Sequence, residues 1–210
     1  EICACLVGSE MCIRDRGNDS LAENLWIHVV DNGRTLPAEE IETEHVMVHP
    51  NLNVGGAGGF TRGMLEAMDH KEKPTHVLLM DDDVMILPES LIRTYNLLKI
   101  IRPEYEHHFI SGAMLFYEEM NFLYEDVGFM DHEGTYGPLK DRVDTRKIED
   151  VLRCEEMIHE PKNAYAGWWY CCIPMEFVRK DNLPLPVFVR GDDVEYSLRN
   201  KAKFITLSGI

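Results

Sequence analysis

Residues 75–88, THVLLMDDDVMILP, decide the fold. The segment from His76 to Met80 is mostly apolar without polar alternation, which is typical of a strand buried on both faces of a mainly parallel sheet. Three carboxylates follow directly, and a helix from Pro88 to about Ile101 is expected after them, because proline suits the first turn of a helix. The sequence therefore predicts an α/β fold with acids at the carboxyl end of a central strand, where open α/β sheets bind ligands.

The three carboxylates are Asp81, Asp82 and Asp83. Successive strand side chains point to opposite faces, so Asp81 and Asp83 can converge while Asp82 points away. Two convergent carboxylates without neighbouring Cys or His suit a hard divalent cation, and Mn²⁺ or Mg²⁺ is the expected cofactor. A solvent-exposed acidic turn is the alternative for any run of three Asp, but the adjoining buried strand favours a metal site.

Length and composition exclude several classes of protein. At 210 residues the chain has the length of one domain, and its net charge of −16 argues against nucleic acid as the main partner, because such binding draws on Lys and Arg. A nucleotide stays compatible, since a bound metal can supply positive charge locally. The six cysteines lack CxxC spacing, which indicates reduced core thiols in a cytosolic protein rather than a zinc site.

The first residues, 1–18, combine three of the six cysteines with an apolar run that no charged segment precedes. This pattern is neither a signal peptide nor a membrane span, since a span needs roughly 20 apolar residues. We therefore expect a non-native or disordered end at residues 1–18 and a single domain over residues 19–210.

Two further strands and a glycine-rich segment precede the acidic stretch. Leu25–Val30 is predicted to be a buried strand that ends in the turn 31–33, and His45–His49 a second strand. The four glycines within 55–59 are expected to form a loop that opens a helix to about His70, where backbone N–H groups can approach a phosphate. A merely flexible loop is the alternative.

The second half of the chain is less regular. It contains a buried strand, Phe109–Tyr117, and then a mixed, charged region at 118–162 that suits substrate-specific loops, with a helix near Lys147–His159. The aromatic stretch Ala164–Pro174 follows. Its adjacent tryptophans would place one ring in the core and one in a cleft, where indole can stack on a sugar ring, unless both simply pack.

The last motif is an extended run, Leu183–Val189, followed by Arg-Gly-Asp-Asp at 190–193 and a helix through about Lys201. Either Asp192 or Asp193 is expected to cap this helix. Capping is a sufficient structural role for one of these acids, but it does not explain both.

Taken in order, these segments resemble glycosyltransferase family 2, inverting enzymes of GT-A fold, and in particular the galactofuranosyltransferases of mycobacterial galactan synthesis. The segments are VVDNG, NxNxGGAGGFxRG, the strand ending in DDD, GWWY and PLPVFVRGDDVEYSLR, and the resemblance runs from about Leu25 to Ile210. It implies a GT-A, Rossmann-like domain with a mixed, mainly parallel sheet flanked by helices, incomplete at both ends.

The resemblance assigns the metal and the donor to separate residues. It implies that Asp81 and Asp83 hold Mn²⁺ or Mg²⁺ against the diphosphate of a nucleoside-diphosphate sugar. The residues implied to contact this donor, with uridine as the expected nucleoside, are Asp31, Asn32, Asn53, Asp82 and Arg190.

The resemblance also implies Asp193 as the general base, and Asp192 with the pair Trp168 and Trp169 as the site of a glycan or lipid-linked glycan acceptor. Gly191 stands where the mycobacterial enzymes carry a Trp, which would alter the acceptor pocket. A third metal ligand, a His, would lie beyond Ile210, and residues 1–24 are not expected to supply the first strand and helix. A fragment is therefore expected.

The expected activity is transfer of a sugar, galactofuranose being one option, with inversion onto an acceptor hydroxyl, by a cytoplasmic protein that meets its acceptor at the inner membrane face. Two alternatives stay open. A sugar-phosphate nucleotidyltransferase would release pyrophosphate, but it leaves the GWWY and GDD segments without a role. A catalytically inactive domain that binds glycan or nucleotide is the other.

Overall fold

The structure is a computed structural model that describes the backbone of Ile2–Leu6 and residues 21, 23–140, 142–156 and 162–210. In chain order its strands are β1 (Ile2–Leu6), β2 (Leu25–Asp31), β3 (Val46–Pro50), β4 (His76–Met80), β5 (Phe109–Ser111), β6 (Met114–Leu115), β7 (Phe122–Glu125), β8 (Gly128–Met130), β9 (Tyr136–Pro138), β10 (Val143–Asp144), β11 (Ala164–Tyr165), β12 (Cys171–Pro174) and β13 (Phe204–Ile205). Its helices are α1 (Ala38–Ile41), α2 (Gly55–Asp69), α3 (Pro88–Ile100), α4 (Ile148–Glu156) and α5 (Asp192–Arg199), with a 3₁₀ turn at Pro103–Tyr105.

The main sheet has the strand order β13-β5-β12-β4-β1-β2-β3. All neighbouring strands in it are parallel except β12, which runs antiparallel to both β4 and β5. The predicted fold class, a mixed and mainly parallel sheet flanked by helices, is therefore confirmed. Because β4 lies in the middle of this sheet, the acids that follow it extend from a strand that is paired on both sides.

Helices cover both faces of β4, so its side chains alternate between two cores. Val77 and Leu79 pack in the cluster that contains Phe60 of α2, whereas Leu78 and Met80 pack in the cluster that contains Leu91 of α3. Because neither face of this strand contacts solvent, both carry apolar side chains, which explains the uninterrupted apolar sequence.

The expectation that residues 1–24 supply no first strand is wrong for Ile2–Leu6. This segment is β1, and it pairs in parallel with β2 on one side and β4 on the other. Five residues of apolar character suffice to complete a central strand, and the cysteine-rich composition of the segment obscured this. Residue 1 and residues 7–18 of the excluded end lie outside the described residues, and the single-domain assignment of 19–210 stays a prediction.

The region that was expected to form loops contains short strands instead. Phe109–Tyr117 divides into β5 and β6, and the following residues build two small sheets with the strand orders β10-β7-β6 and β11-β8-β9. The helix predicted near Lys147–His159 is α4, and residues 157–161 lie outside the described part of the chain. Among the described helices, none has the length and apolarity that a membrane span requires.

Candidate active site

Five carboxylates from three distant parts of the chain approach the carboxyl end of β4. Asp81 and Asp83 follow this strand, Asp192 and Asp193 are the first two residues of α5, and Glu125 ends β7. Burial raises the pKa of Asp81 to about 7, and the negative charges of Asp83, Asp192 and two further Asp side chains raise it too. The charges that act on Asp81 are thus all negative, so the cluster carries no cation of its own there.

The three Asp lie just beyond β4, which ends at Met80, so the strand pleat does not extend to them. Asp83 acts on the pKa of Asp81 more strongly than Asp82 does, although Asp82 is the direct neighbour in sequence. Asp82 is exposed, and burial raises its pKa while its own backbone N–H lowers it. The geometry thus groups Asp81 with Asp83, and the roles of Asp81 and Asp83 in metal binding and of Asp82 in donor binding stay predictions.

Asp193 is poised as a proton acceptor. Burial raises its pKa to about 6, while the backbone N–H of Val194 donates to its Oδ1 across 2.7 Å and stabilises the carboxylate. Neither Asp192 nor Asp193 caps α5, because the residue that precedes the helix is Gly191 in the left-handed region (φ 89°), and no side chain caps it. The expected capping role is therefore wrong, and both acids are available for chemistry.

Glu125 is a site residue that the sequence did not indicate. Glu125 is 3% exposed, its Oε2 accepts a hydrogen bond from the Tyr165 hydroxyl across 3.3 Å, and its Oε1 has no hydrogen-bond partner among the described residues. Burial raises its pKa to about 7, and the charge of Asp193 contributes to this shift. The next residue, Asp126, forms a buried ion pair with Lys140 that anchors the segment. An isolated Glu on a short strand carries no spacing signal, so tertiary structure alone reveals it.

The glycine-rich segment is the beginning of α2 rather than a loop. A side chain at Gly55 would lie 2.2 Å from the carbonyl oxygen of Phe188, so only glycine allows the two backbones to pass this closely. A side chain at Gly56 would lie 3.7 Å from Asp192 Oδ2. The glycines therefore bring the amino end of α2 against the acidic cluster, and the N-cap residue Val54 makes no side-chain cap at that end.

The turn after β2 uses the side chains that were predicted to contact uridine. Asp31 is buried, and its two carboxylate oxygens accept hydrogen bonds from the N–H groups of Gly33 (3.0 Å) and Leu36 (2.9 Å). Asn32 Oδ1 accepts a hydrogen bond from the amide of Asn51 across 2.9 Å. Both side chains hold the turn that joins the ends of β2 and β3, and direct donor contact stays a prediction for each.

Asn53 and Arg190 lie on either side of the beginning of α2. Asn53 is exposed, and its Oδ1 accepts a hydrogen bond from the N–H of Gly55 across 3.3 Å. Arg190 is exposed in a left-handed conformation (φ 57°), directly before Gly191. Both positions face solvent beside the acids, as a donor site requires, but their donor contacts stay predictions.

The two tryptophans have different environments. Trp168 is 3% exposed and packs against Phe60 and Tyr196, at ring-centroid distances of 5.0 and 5.6 Å. The prediction that Trp168 lines the acceptor site is therefore wrong, because the ring offers no free face for a sugar. Trp169 is half-buried, its Nε1 donates to the carbonyl of Gly112 across 3.4 Å, and its ring lies 6.3 Å from that of Tyr124.

A cavity of about 430 Å³ extends from Asp83 to Trp169. Its walls are mainly apolar and aromatic, and its lining includes Met85, Leu87, Phe116, Tyr117 and Met120. Several of these side chains are exposed at its mouth. The cavity can therefore hold a ligand that presents apolar surface on one side and reaches the acids on the other.

The acidic cluster fits a hard divalent cation. Carboxylate oxygens are the donors that Mg²⁺ and Mn²⁺ prefer, and the raised pKa of Asp81 records repulsion that a cation would relieve. Asp81 and Asp83 are the residues that would hold it, and Asp192 contributes further negative charge.

The chain is similar in sequence to two galactofuranosyltransferases. The chain is 28% identical over 172 residues to the galactofuranosyltransferase GlfT2 of Mycolicibacterium smegmatis and 30% identical over 168 residues to that of Mycobacterium tuberculosis. These matches cover 74% and 72% of this chain but only 25% and 24% of the relatives, so the chain spans about a quarter of their length. The resemblance to galactofuranosyltransferases is thereby confirmed. No family model matches the chain.

Among solved structures, 4-diphosphocytidyl-2C-methyl-D-erythritol synthase is similar in fold. The TM-score is 0.50 at 11% sequence identity, and the match covers 100% of this chain and 90% of that one. At this identity the likeness concerns the fold alone, and it agrees with the sheet of the GT-A type that the motifs imply.

Proposed function

We propose that this chain forms the donor and catalytic part of an inverting, metal-dependent glycosyltransferase that uses a nucleoside-diphosphate sugar. The observation that carries the proposal is that Asp83, Asp192 and Asp193 all act electrostatically on Asp81, although Asp192 and Asp193 lie more than 100 residues further along the chain. A structural role would not require so many unneutralised acids at the open end of the central strand.

The donor diphosphate is expected between the acids and the beginning of α2. The N-cap residue of α2, Val54, offers no side-chain acceptor to the first-turn N–H groups, of which Gly55 N–H donates to Asn53 Oδ1, and the glycines allow a phosphate to approach the backbone closely. A divalent ion on Asp81 and Asp83 would neutralise the charge that develops on the departing nucleoside diphosphate. Arg190, exposed beside the same end of α2, supplies a further positive charge for the diphosphate.

Asp193 is the proposed general base. A base with a pKa of about 6 is ionised at neutral pH and still accepts a proton readily, which is the compromise that general-base catalysis favours. Glu125 is buried and interacts electrostatically with Asp193, so its protonation state influences the base without direct contact with the acceptor.

The proposed acceptor site is the cavity between Asp83 and Trp169. The indole of Trp169 offers a surface for a sugar ring, and the apolar lining suits an acceptor with a hydrophobic portion, such as a lipid-linked glycan. A cytoplasmic protein would meet such an acceptor at the inner face of the membrane. UDP-galactofuranose is the first donor to test, since both relatives are named galactofuranosyltransferases.

The test is a calorimetric titration of UDP into the chain, first with Mn²⁺ and then with EDTA, repeated on Asp83→Ala. Binding that requires both the metal and Asp83 supports the donor site. Asp69→Ala, an acid at the far end of α2, is the matched control and should bind UDP like the wild type. Metal-independent UDP binding, or equal binding by Asp83→Ala, would contradict the proposal.

A second measurement separates the transferase from a nucleotidyltransferase. The transferase is expected to release UDP from a UDP-sugar when acceptor is present, and to release no pyrophosphate from UTP and a sugar phosphate. Pyrophosphate release would reverse this assignment, while glycan binding without any turnover would indicate an inactive binding domain.

A further inference from the structure

A second group of side chains with metal-ligand chemistry lies where α2 meets the strands β2 and β3. It consists of His28 on β2, His49 on β3 and Glu66 on α2, hereafter the His–His–Glu cluster. One donor atom from each residue lies within 4.8 Å of the others. None of the three belongs to the residues that line the candidate active site.

The donor atoms of the cluster lie near one another. His28 Nδ1 and His49 Nε2 are 2.9 Å apart, and the other nitrogen of His49, Nδ1, lies 3.6 Å from Glu66 Oε1. Two nitrogens bound to one tetrahedral Zn²⁺ at about 2.0–2.1 Å stand roughly 3.3 Å apart. One zinc ion can use only one nitrogen of His49, so its ring and the Glu66 side chain would adjust from a set of donor atoms that already lie within 4.8 Å of one another.

The cluster is also unsaturated. His28 is 2% exposed, and its Nε2 has no hydrogen-bond partner in the described structure. A polar nitrogen that is buried without a partner destabilises the fold, and a bound cation would remove this cost.

We propose that His28, His49 and Glu66 bind a zinc ion. Imidazole nitrogens suit zinc better than Mg²⁺ or Mn²⁺, and a set of two His and one Glu is an established zinc donor set that leaves one position open. His49 and Glu66 are partly exposed, so water can fill that position. Arg62 Nε donates to Glu66 Oε1 across 2.6 Å, but the Arg62 side chain is 39% exposed and can turn into solvent.

A zinc ion here would tie together the three elements that support the proposed donor site. His28 precedes Asp31 on β2 by three residues, His49 precedes the end of β3 by one, and α2 begins with the glycines beside Asp192. The ion would thus be structural, holding β2, β3 and α2 in register behind the donor pocket. It is independent of any cation on Asp81 and Asp83.

The test uses the variant Asp81→Asn/Asp83→Asn, in which the acidic cluster can no longer compete for zinc. We expect this variant to bind one Zn²⁺ in a calorimetric titration, and its Tm to rise by roughly 5–10 °C at Zn²⁺ 100-fold above Kd. Co²⁺ bound in place of zinc should show the visible absorption of a low-symmetry nitrogen–oxygen site.

Adding Glu66→Gln or His49→Gln should weaken zinc binding by more than about 10–100-fold, the loss that follows removal of even an outer hydrogen-bond partner of a metal ligand. His45→Gln is the matched control, because His45 stacks on Trp26 outside the cluster and should leave the affinity unchanged. Glu66 lies on the helix surface, so its variant is expected to fold. Equal zinc affinity with and without Glu66→Gln and His49→Gln, or no zinc binding by Asp81→Asn/Asp83→Asn, would overturn the proposal.

Discussion

Tyr165 donates its hydroxyl to Glu125 Oε2 across 3.3 Å and leaves Glu125 Oε1, next to the charge of Asp193, without a partner. This hydrogen bond lowers the pKa of Glu125, but burial outweighs it and raises the pKa to about 7. The pair joins β7 to β11 and brings a carboxylate to the proposed base from a part of the chain in which no motif was recognised.

Glu125→Gln should slow sugar transfer without weakening UDP binding, because Gln keeps the hydrogen bond from Tyr165 but removes the charge beside Asp193. Glu125 is charged only above its pKa of about 7, so the kcat/KM profile of the variant should differ from that of the wild type above pH 7, while the acidic limb set by Asp193 near pH 6 stays in place. The measurement is transfer of radiolabelled sugar between pH 5 and 8. Tyr165→Phe is the companion variant, and an unchanged profile in Glu125→Gln would remove Glu125 from the site.

Asp193→Asn should retain metal-dependent UDP binding and lose transfer by at least about 10²–10⁴-fold, the usual contribution of a general base. The comparison variant is Glu195→Gln, which lies on the same helix but pairs with Arg199 at the surface. Calorimetry reports donor binding and a radiolabelled-donor assay reports transfer. Transfer at the wild-type rate in Asp193→Asn would assign the base elsewhere.

Asp81→Asn should stabilise the metal-free protein, and increasingly so as the pH rises. The folded-state pKa of Asp81 is raised from 3.8 to about 7, so the folded protein binds this proton more tightly than the unfolded chain does. The stability that the proton provides is lost between about pH 4 and pH 7, and removing the group removes that loss. The difference in unfolding free energy at pH 8 has an upper bound of about 4 kcal/mol.

Thermal unfolding of both proteins in EDTA at pH 5 and pH 8 measures this effect. Saturating Mn²⁺ should reverse the order at pH 8, because a bound cation stabilises the wild-type carboxylate and has fewer ligands in the variant. If Asp81→Asn gains no stability between pH 5 and pH 8, Asp81 does not experience the repulsion described above.

Trp168→Ala should reduce the stability of the fold, whereas Trp169→Ala should weaken acceptor binding. Trp168 is a core residue, so its truncation should destabilise the fold by about 3–5 kcal/mol. Trp169 lines the cavity, and its truncation should raise the acceptor KM while UDP affinity stays near the wild-type value. Urea unfolding and acceptor kinetics distinguish the two. Equal destabilisation without an acceptor effect would mean that both rings serve packing alone.

Gly55→Ala should destabilise the protein more than Gly134→Ala. Both residues have a positive φ, 83° and 84°, which costs a side chain about 1–2 kcal/mol. At Gly134 the added methyl meets nothing within 4 Å, whereas at Gly55 it meets the backbone of Phe188 at 2.2 Å. The excess loss in urea unfolding, with weaker UDP binding for Gly55→Ala only, measures the contact. Equal losses would show that α2 does not need this close approach.

The order of amino acids was sufficient for every feature with a local cause. The apolar run of β4, the proline that begins α3, the strand β2 and the helices α2 and α5 were predicted to within a few residues, because periodicity and helix-start signals act over one or two turns.

Only the tertiary structure decided which distant segments meet. It inserted Ile2–Leu6 between β2 and β4, buried Trp168 while leaving Trp169 at a cavity, and brought Glu125 beside Asp193. It also assembled His28, His49 and Glu66 from two strands and a helix. Such contacts depend on the packing of side chains far apart in the chain, and this packing leaves no periodic pattern in the sequence. Hydrogen bonding and pleating within one segment do leave such a pattern.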